Sequence, residues 1–305
     1  MRMGTRESMV GVLAATLTLA GFAGVSALAL GASGGGASSK VSAHSLPVGD
    51  GKVTTTGAQR GYVYRCGSGG NGGGASSQGP WFNGDGTFDL TAKATVDGSV
   101  SWSQASYSNQ VSGDTRTITS NDLPVGYTTG NFPISSSDDA YQYDHNPNTI
   151  KAQSFSYSLP AHPQKTGFNC ISGFVGIARN GVAIFDGLDA GNRDAVAWEV
   201  QDSCGGHPQS SGVYHYHNLP SCLTQSKSNK SKLVGFALDG FPIYNGRDAD
   251  GNRYTNADLD ACHGTTSKVK LDGEKVRTYH YEATREFPYT VSCFRGTAIN
   301  TGPAG

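Results

Sequence analysis

One block of this chain is written twice in its C-terminal half. The first copy opens with VGIARNGVAIF (Val175 to Phe185) and the second with VGFALDGFPIY (Val234 to Tyr244). Each continues through Gly-Asn-Arg (Gly191 to Arg193; Gly251 to Arg253) and Asp-x-Cys (Asp202 to Cys204; Asp260 to Cys262). A tetrad follows, Tyr214-His215-Tyr216-His217 in one copy and Tyr279-His280-Tyr281-Glu282 in the other, and then a further cysteine, Cys222 or Cys293. The landmarks keep their order while their offset grows from about 59 (Val175 to Val234) to about 71 (Cys222 to Cys293). Two copies are too few for a solenoid, which needs at least three stacked units. They fit a duplicated unit packed face to face about a pseudo-two-fold axis, with the tetrads meeting near that axis. Any chemistry is expected at the tetrads.

The same block sets the fold class. Asn180-Gly181 splits VGIAR from VAIF, and Asp239-Gly240 splits VGFAL from FPIY. Such dipeptides between apolar runs are hairpin signals. Upstream, Phe88, Leu90, Ala92 and Ala94 alternate with polar residues, and Asp97-Gly98 precedes Ser99 to Trp102, which reads as a third hairpin. No stretch of a dozen residues has helical periodicity, although Asn256 to Ala261 suits a short turn. With 43 glycines and 14 tyrosines, the expected fold is mainly β. It is a hairpin-rich domain with an internal duplication into two pseudo-symmetric repeats, and short helices at most.

Arg2 and Arg6 precede an apolar run from Met9 to about Ala32 that ends in small residues, the layout of a cleaved signal peptide at 1–32. An uncleaved anchor is the competing reading, because the run is long enough to span a bilayer. Mature chains should begin between about Leu30 and Ser38. Residues 33–60 are Gly/Ser/Thr-rich and read as a flexible linker. The domain then covers 61–296, divided into an N-terminal β part at about 61–165, repeat one at 170–223 and repeat two at 232–296; 297–305 form a tail. The glycine-rich stretch Gly67 to Gly79 reads as a long surface loop. All six cysteines lie beyond the leader and none forms Cys-x-x-Cys, which suits disulfides in a secreted or cell-envelope protein. Repeat equivalence pairs Cys204 with Cys222 and Cys262 with Cys293, leaving Cys66 for Cys170. The formal net charge of -1, with no basic stripe, argues against nucleic acid and against membrane contact beyond the leader.

The run CGGHPQSSGVYHYHNLPSC (Cys204 to Cys222), then VGFALDGFPIY and EFPYTVSCFRG (Glu286 to Gly296), resembles the bacterial YHYH-domain proteins, a family named for its tetrad. The likeness continues upstream through GPWFNGDGTFDLTAKATVDGSVSW (Gly79 to Trp102), NDLPVGYTTGNFP (Asn121 to Pro133) and HNPNTIKAQ (His145 to Gln153), and so covers about residues 79–296. Two positions depart from the family pattern: Glu282 stands where a histidine is common, and Gly126 where one often follows Leu-Pro. The resemblance supplies a family and no reaction.

The tetrads carry the chemistry that can be read directly. Alternate residues of a strand face the same way, so His215 and His217 share one face, His280 and Glu282 another, and the tyrosines point opposite. His-x-His on a strand lets two imidazoles converge on one ion, and a carboxylate completes a set suited to a divalent transition metal, zinc or copper. The expected ligands are His215, His217, His280 and Glu282, with His207 as a further one. Asp202, Asp260, Tyr214, Tyr216, Tyr279, Tyr281 and His263 stand as groups that would orient them. The same residues also fit a hydrogen-bonded core with no metal. Asn180 and Asp239 read as turn residues, and Asn146 and Asn148 as Asx turns. DADGNRYTNADLD (Asp248 to Asp260) looks like a calcium loop but lacks its closing glutamate. Three functions stay open: an exported metal-binding protein, with or without enzymatic activity; a metal-independent hydrolase or lyase using histidine as acid and base; and a non-catalytic envelope or matrix protein. An extracellular small molecule or carbohydrate is the partner class that suits them. No serine-nucleophile elbow, phosphate loop or dinucleotide fingerprint is present.

Overall fold

Strand pairing begins from the two Gly-turned hairpins, which sit side by side in one sheet. The computed structural model describes residues 41–69, 72, 74–224 and 230–299, all within the unit that begins at Ser38. The leader at 1–32, its cleavage region and residues 300–305 of the tail lie outside the described residues. Four short strands come first: β1 (Leu46–Pro47), β2 (Val53–Thr54), β3 (Val63–Tyr64) and β4 (Thr87–Phe88). Then come β5 (Tyr107–Ser112), β6 (Thr115–Ser120) and β7 (Phe155–Pro160). The repeated region supplies β8 (Phe174–Ala178), β9 (Ala183–Phe185), the helical turn α1 (Ala195–Trp198), β10 (Gly206–Pro208), β11 (Tyr214–Tyr216) and the turn α2 (Ser221–Thr224). It continues with β12 (Leu233–Ala237), β13 (Pro242–Tyr244), β14 (Gly264–Leu271) and β15 (Glu274–Glu282). Among the described residues no helix is long and apolar enough to cross a membrane.

Eight of these strands form one sheet in the order β10-β11-β9-β8-β12-β13-β15-β14. Read outward from the central antiparallel β8–β12 pair, both halves run alike. A hairpin strand leads to its partner, then in parallel to the tetrad strand, then antiparallel to the strand after the Asp-x-Cys. The two copies therefore lie edge to edge and not face to face. Close approach at the centre is what permits this: Gly176 and Gly235 sit where a Cβ on either would strike the backbone of the other strand. As a result the tetrad strands β11 and β15 do not meet. Four strands separate them, five spacings or roughly 24 Å at about 4.8 Å per strand.

Over this sheet lies the three-stranded β5-β6-β7, whose alternation buries Ile118, Phe155, Tyr157 and Leu159. It is pinned by Arg116, buried over the Phe236 ring at 4.0 Å and paired with Asp272 Oδ2 at 2.5 Å. Two sequence expectations fail upstream. Residues 41–60 are not a flexible linker: Leu46 is fully buried opposite Phe88, Val53 pairs with Val63, and the Gly49 amide donates to Asp194 Oδ2 at 2.8 Å. The apolar residues there are few, but they dock on a core that the neighbouring polar text hides. Nor does Asp97-Gly98 turn a hairpin. Asp89 ends the strand just after Phe88, because its Oδ1 accepts from Thr91 N (2.8 Å) and Ala92 N (3.2 Å). Val96 and Val100 instead bridge to Asp202 and Thr129. At the other end, the Ile299 amide donates to Leu238 O at 3.1 Å, so the tail is anchored at least that far.

The cysteines pair as Cys66–Cys170, Cys204–Cys222 and Cys262–Cys293. The last two close equivalent loops in the two halves of the sheet. Non-reducing peptide mapping is expected to return these three linkages, and a Cys204–Cys262 peptide would contradict the arrangement of both halves.

Candidate metal centre

Alternation divides each tetrad into a packing face and a functional face. The tyrosines face the core, and their hydroxyls are held by equivalent partners. Tyr214 donates to Asp202 Oδ2 (2.8 Å) and Tyr279 to Asp260 Oδ1 (3.0 Å), while Tyr216 accepts from Asn180 Nδ2 (2.9 Å) and Tyr281 donates to Asp239 Oδ2 (2.6 Å). Burial is the chief force that keeps all four phenols above their ordinary range. None of Asp202, Asp260 or the four tyrosines stands behind a histidine, because the strand period sends them to the opposite side. The turn residues Asn180 and Asp239 thus serve as tyrosine anchors.

On the other face of the first tetrad, His215 and His217 meet His207. In the β10–β11 register His207 lies directly opposite His215, and His217 follows two residues on. One ring nitrogen from each of the three falls within 4.8 Å of the others, and all three rings are buried. His217 Nδ1 lies 2.5 Å from the Asp186 carbonyl and His215 Nδ1 3.2 Å from that of Val213. A carbonyl only accepts, so both Nδ1 atoms carry the proton and both Nε2 atoms carry a lone pair. Those two lone-pair nitrogens face each other at 3.0 Å. Burial, reinforced for His207 and His215 by the neighbouring imidazoles, pushes the basicity of all three rings down. They are neutral, which is the ligating form.

Glu199, which the sequence reading missed, flanks two of the three histidines. Its Oε2 lies 3.4 Å from His207 Nε2 and 3.4 Å from His217 Nε2. Four ligands held tetrahedrally at about 2.0–2.1 Å from an ion sit about 3.3 Å apart, so these contacts have the length of a coordination edge. Glu199 Oε2 and both ring nitrogens of His207 are buried and have no hydrogen-bond partner among the described residues. Burial first, then Asp189 and Asp144, pushes the Glu199 carboxyl well up from its ordinary value. Its position is fixed from behind. Asp194 caps α1 by accepting from Val196 N and Ala197 N, and Lys93 Nζ donates to the Glu199 carbonyl at 2.5 Å. Asp144 Oδ2 takes the Val200 amide at 2.9 Å. Glu199 has no sequence landmark of its own; three residues before the equivalent Asp260 the second copy has Ala257.

The cluster lies in a cleft of about 680 Å³. Phe185 walls it, its ring centroid 4.3 Å from that of His215. Gly72 and Gly74 of the glycine-rich loop help line it, and His145 is exposed at its edge, stacked on Tyr141 at 4.1 Å. Asn146 makes the expected Asx turn, its Oδ1 accepting the Asn148 amide, and the other turn there belongs to Asp144, which accepts the Asn146 amide, and not to Asn148. Both asparagine side chains donate to the Pro208 carbonyl, securing β10.

The second tetrad has no such opening. Thr265 occupies the position opposite His280 that His207 holds opposite His215. His280 Nε2 is closed off by Glu282 Oε1 at 3.0 Å, and Glu282 Oε2 accepts the Gly246 amide. His263 bonds Thr284 Oγ1 at 2.9 Å in the same half, and burial takes its pKa down to about 3. His280, Glu282 and His263 are therefore remote from the first tetrad and belong to a closed polar core.

Residues 156–254 match the family described as YHYH protein. That span takes in Glu199 and all three clustered histidines and stops short of the second tetrad. No curated protein matches the chain, and no solved structure does.

Proposed function

We infer, from the segment 156–254 that matches the family described as YHYH protein, a function: exported binding of one divalent transition-metal ion by His207, His215, His217 and Glu199. The observation that carries this reading is the facing pair of Nε2 lone pairs at 3.0 Å between His215 and His217. Two neutral acceptors at that separation repel, and a cation between them turns the repulsion into coordination. Beside them, His207 Nε2 and Glu199 Oε2 are buried without a hydrogen-bond partner and lie 3.4 Å apart. Three imidazoles and a carboxylate suit zinc or copper. The backbone carbonyls behind His215 and His217 do what outer partners of ligating imidazoles do: they fix the tautomer and the ring plane. Disulfides and the apolar run at Met9 to Ala32 support export. A cleft large enough for a small molecule opens beside the cluster, which favours a site that works on something over a purely structural one.

Elemental analysis of the untagged, secreted protein tests this reading. About one equivalent of transition metal is expected, in line with a single four-donor site. A metal-free protein that stays metal-free after incubation with zinc and with copper would sink it. Glu199→Gln is expected to weaken metal affinity by about 10- to 100-fold, measured by chelator competition. An unchanged affinity would remove Glu199 from the ligand set and leave the three histidines.

A further inference from the structure

A second cleft, of about 550 Å³, lies on the other half of the sheet and is lined by Arg247, Arg253 and Arg285. Arg247 follows β13 and is bridged to Arg253 across an isolated antiparallel pair, and Arg285 follows the end of β15. Four other arginines, Arg65, Arg116, Arg193 and Arg295, each lie within 4.0 Å of a carboxylate oxygen. No carboxylate of the described residues reaches that distance from these three. The acidic groups that border them are engaged otherwise. Glu286 Oε2 accepts the Asn256 amide at 2.7 Å, Glu282 is held by His280 and the Gly246 amide, and Asp248 accepts from the backbone and side chain of Asn252.

Three like charges gathered in one concavity cost electrostatic energy that the fold does not require. The equivalent bridge in the first half joins Leu188 to Asp194, with no excess of positive charge. Burial, and then Arg285 and Arg247, bring the Arg253 guanidinium down to about 10. Guanidinium groups present paired N–H donors that match the oxygens of a carboxylate, phosphate or sulfate. Among the described residues, only one donor of the three side chains has a protein acceptor, Arg247 Nη1 on the Gly251 carbonyl at 2.6 Å. We propose that this cleft binds an oxyanion group, held by Arg247, Arg253 and Arg285. The site is independent of the metal centre, which lies across the sheet.

The test titrates the full disulfide-bonded chain calorimetrically, at fixed ionic strength in chloride, with inorganic phosphate, inorganic sulfate and an oligogalacturonate. Saturable binding of at least one of them is expected. Arg253→Gln and Arg285→Gln should each weaken it by about ten-fold or more, and Arg277→Gln, an exposed arginine of β15 away from the cleft, should not. Binding of the free anions would mark a small-anion site, and binding of the oligomer alone a site for an anionic polymer; either supports the proposal. Absence of saturable binding to all three overturns it, as does a loss in Arg277→Gln equal to that in Arg253→Gln. Arg253→Lys keeps the charge and loses the paired donors, so it serves if a glutamine variant fails to fold. Metal content in Arg253→Gln should match the wild type, which separates failure here from failure of the metal centre.

Discussion

His217→Ala, made in the full chain, is expected to cut bound transition metal from about one equivalent to below about a tenth, with little loss of stability. His217 is one of three imidazoles and the best anchored, through Asp186 O at 2.5 Å. Its removal leaves an incomplete donor set and no replacement within reach. His215→Ala and His207→Ala should behave alike, because the three ring nitrogens lie within 4.8 Å of one another. The fold should survive: β11 is held by Tyr214 and Tyr216 on the opposite face, by the Cys204–Cys222 disulfide, and by Asp122, which accepts the Tyr214 amide at 2.8 Å. His280→Ala is the decisive contrast. It should leave the metal count unchanged and lower stability instead, because Glu282 then stays buried without its partner. Elemental analysis and urea unfolding of the four variants would decide. Full metal in His217→Ala overturns the centre, and metal loss in His280→Ala would revive a site shared by both tetrads.

That contrast also marks how far the sequence could be read. The Tyr-His alternation separates the faces of each tetrad without any coordinates, and equivalent landmarks in two copies give the disulfides. The hairpins at Asn180-Gly181 and Asp239-Gly240 follow from local turn chemistry, which is short-range. What was hidden is long-range. Whether two similar units stack or join edge to edge depends on Gly176 and Gly235 meeting across strands, and a lone glycine in a strand does not announce its neighbour. Edge-to-edge joining then separates the tetrads and brings His207, through the β10–β11 register, to His215 and His217 in place of His280 or Glu282. Glu199 was invisible for a related reason: it reaches the site through a four-residue helical turn and a half-buried lysine from residue 93, neither of which leaves a periodic trace. The alternation from Phe88 to Ala94 misled because period two was present while Asp89, through its Asx turn, had already stopped the strand.

Gly235→Ala is expected to destabilise the protein by about 3 kcal/mol or more. A Cβ there would land on the Ile177 carbonyl oxygen and 2.9 Å from the Ala178 Cα, both backbone atoms of the central strand β8. Backbone in mid-sheet cannot swing aside as a side chain can. Relief requires β8 and β12 to part, which loosens the only direct strand pairing between the two halves of the sheet. Gly176→Ala meets the mirror-image obstacle, with Phe236 O at 2.5 Å, and should cost a similar amount. At about 2–4 °C per kcal/mol for a chain of this size, the midpoint should fall by roughly 6–12 °C. Gly57→Ala is the control: nothing lies within 4 Å of its Cβ, so a change within about 0.5 kcal/mol is expected. Differential scanning calorimetry on the oxidised protein reads all three. If Gly235→Ala melts with Gly57→Ala, the two halves are not joined through a close β8–β12 contact.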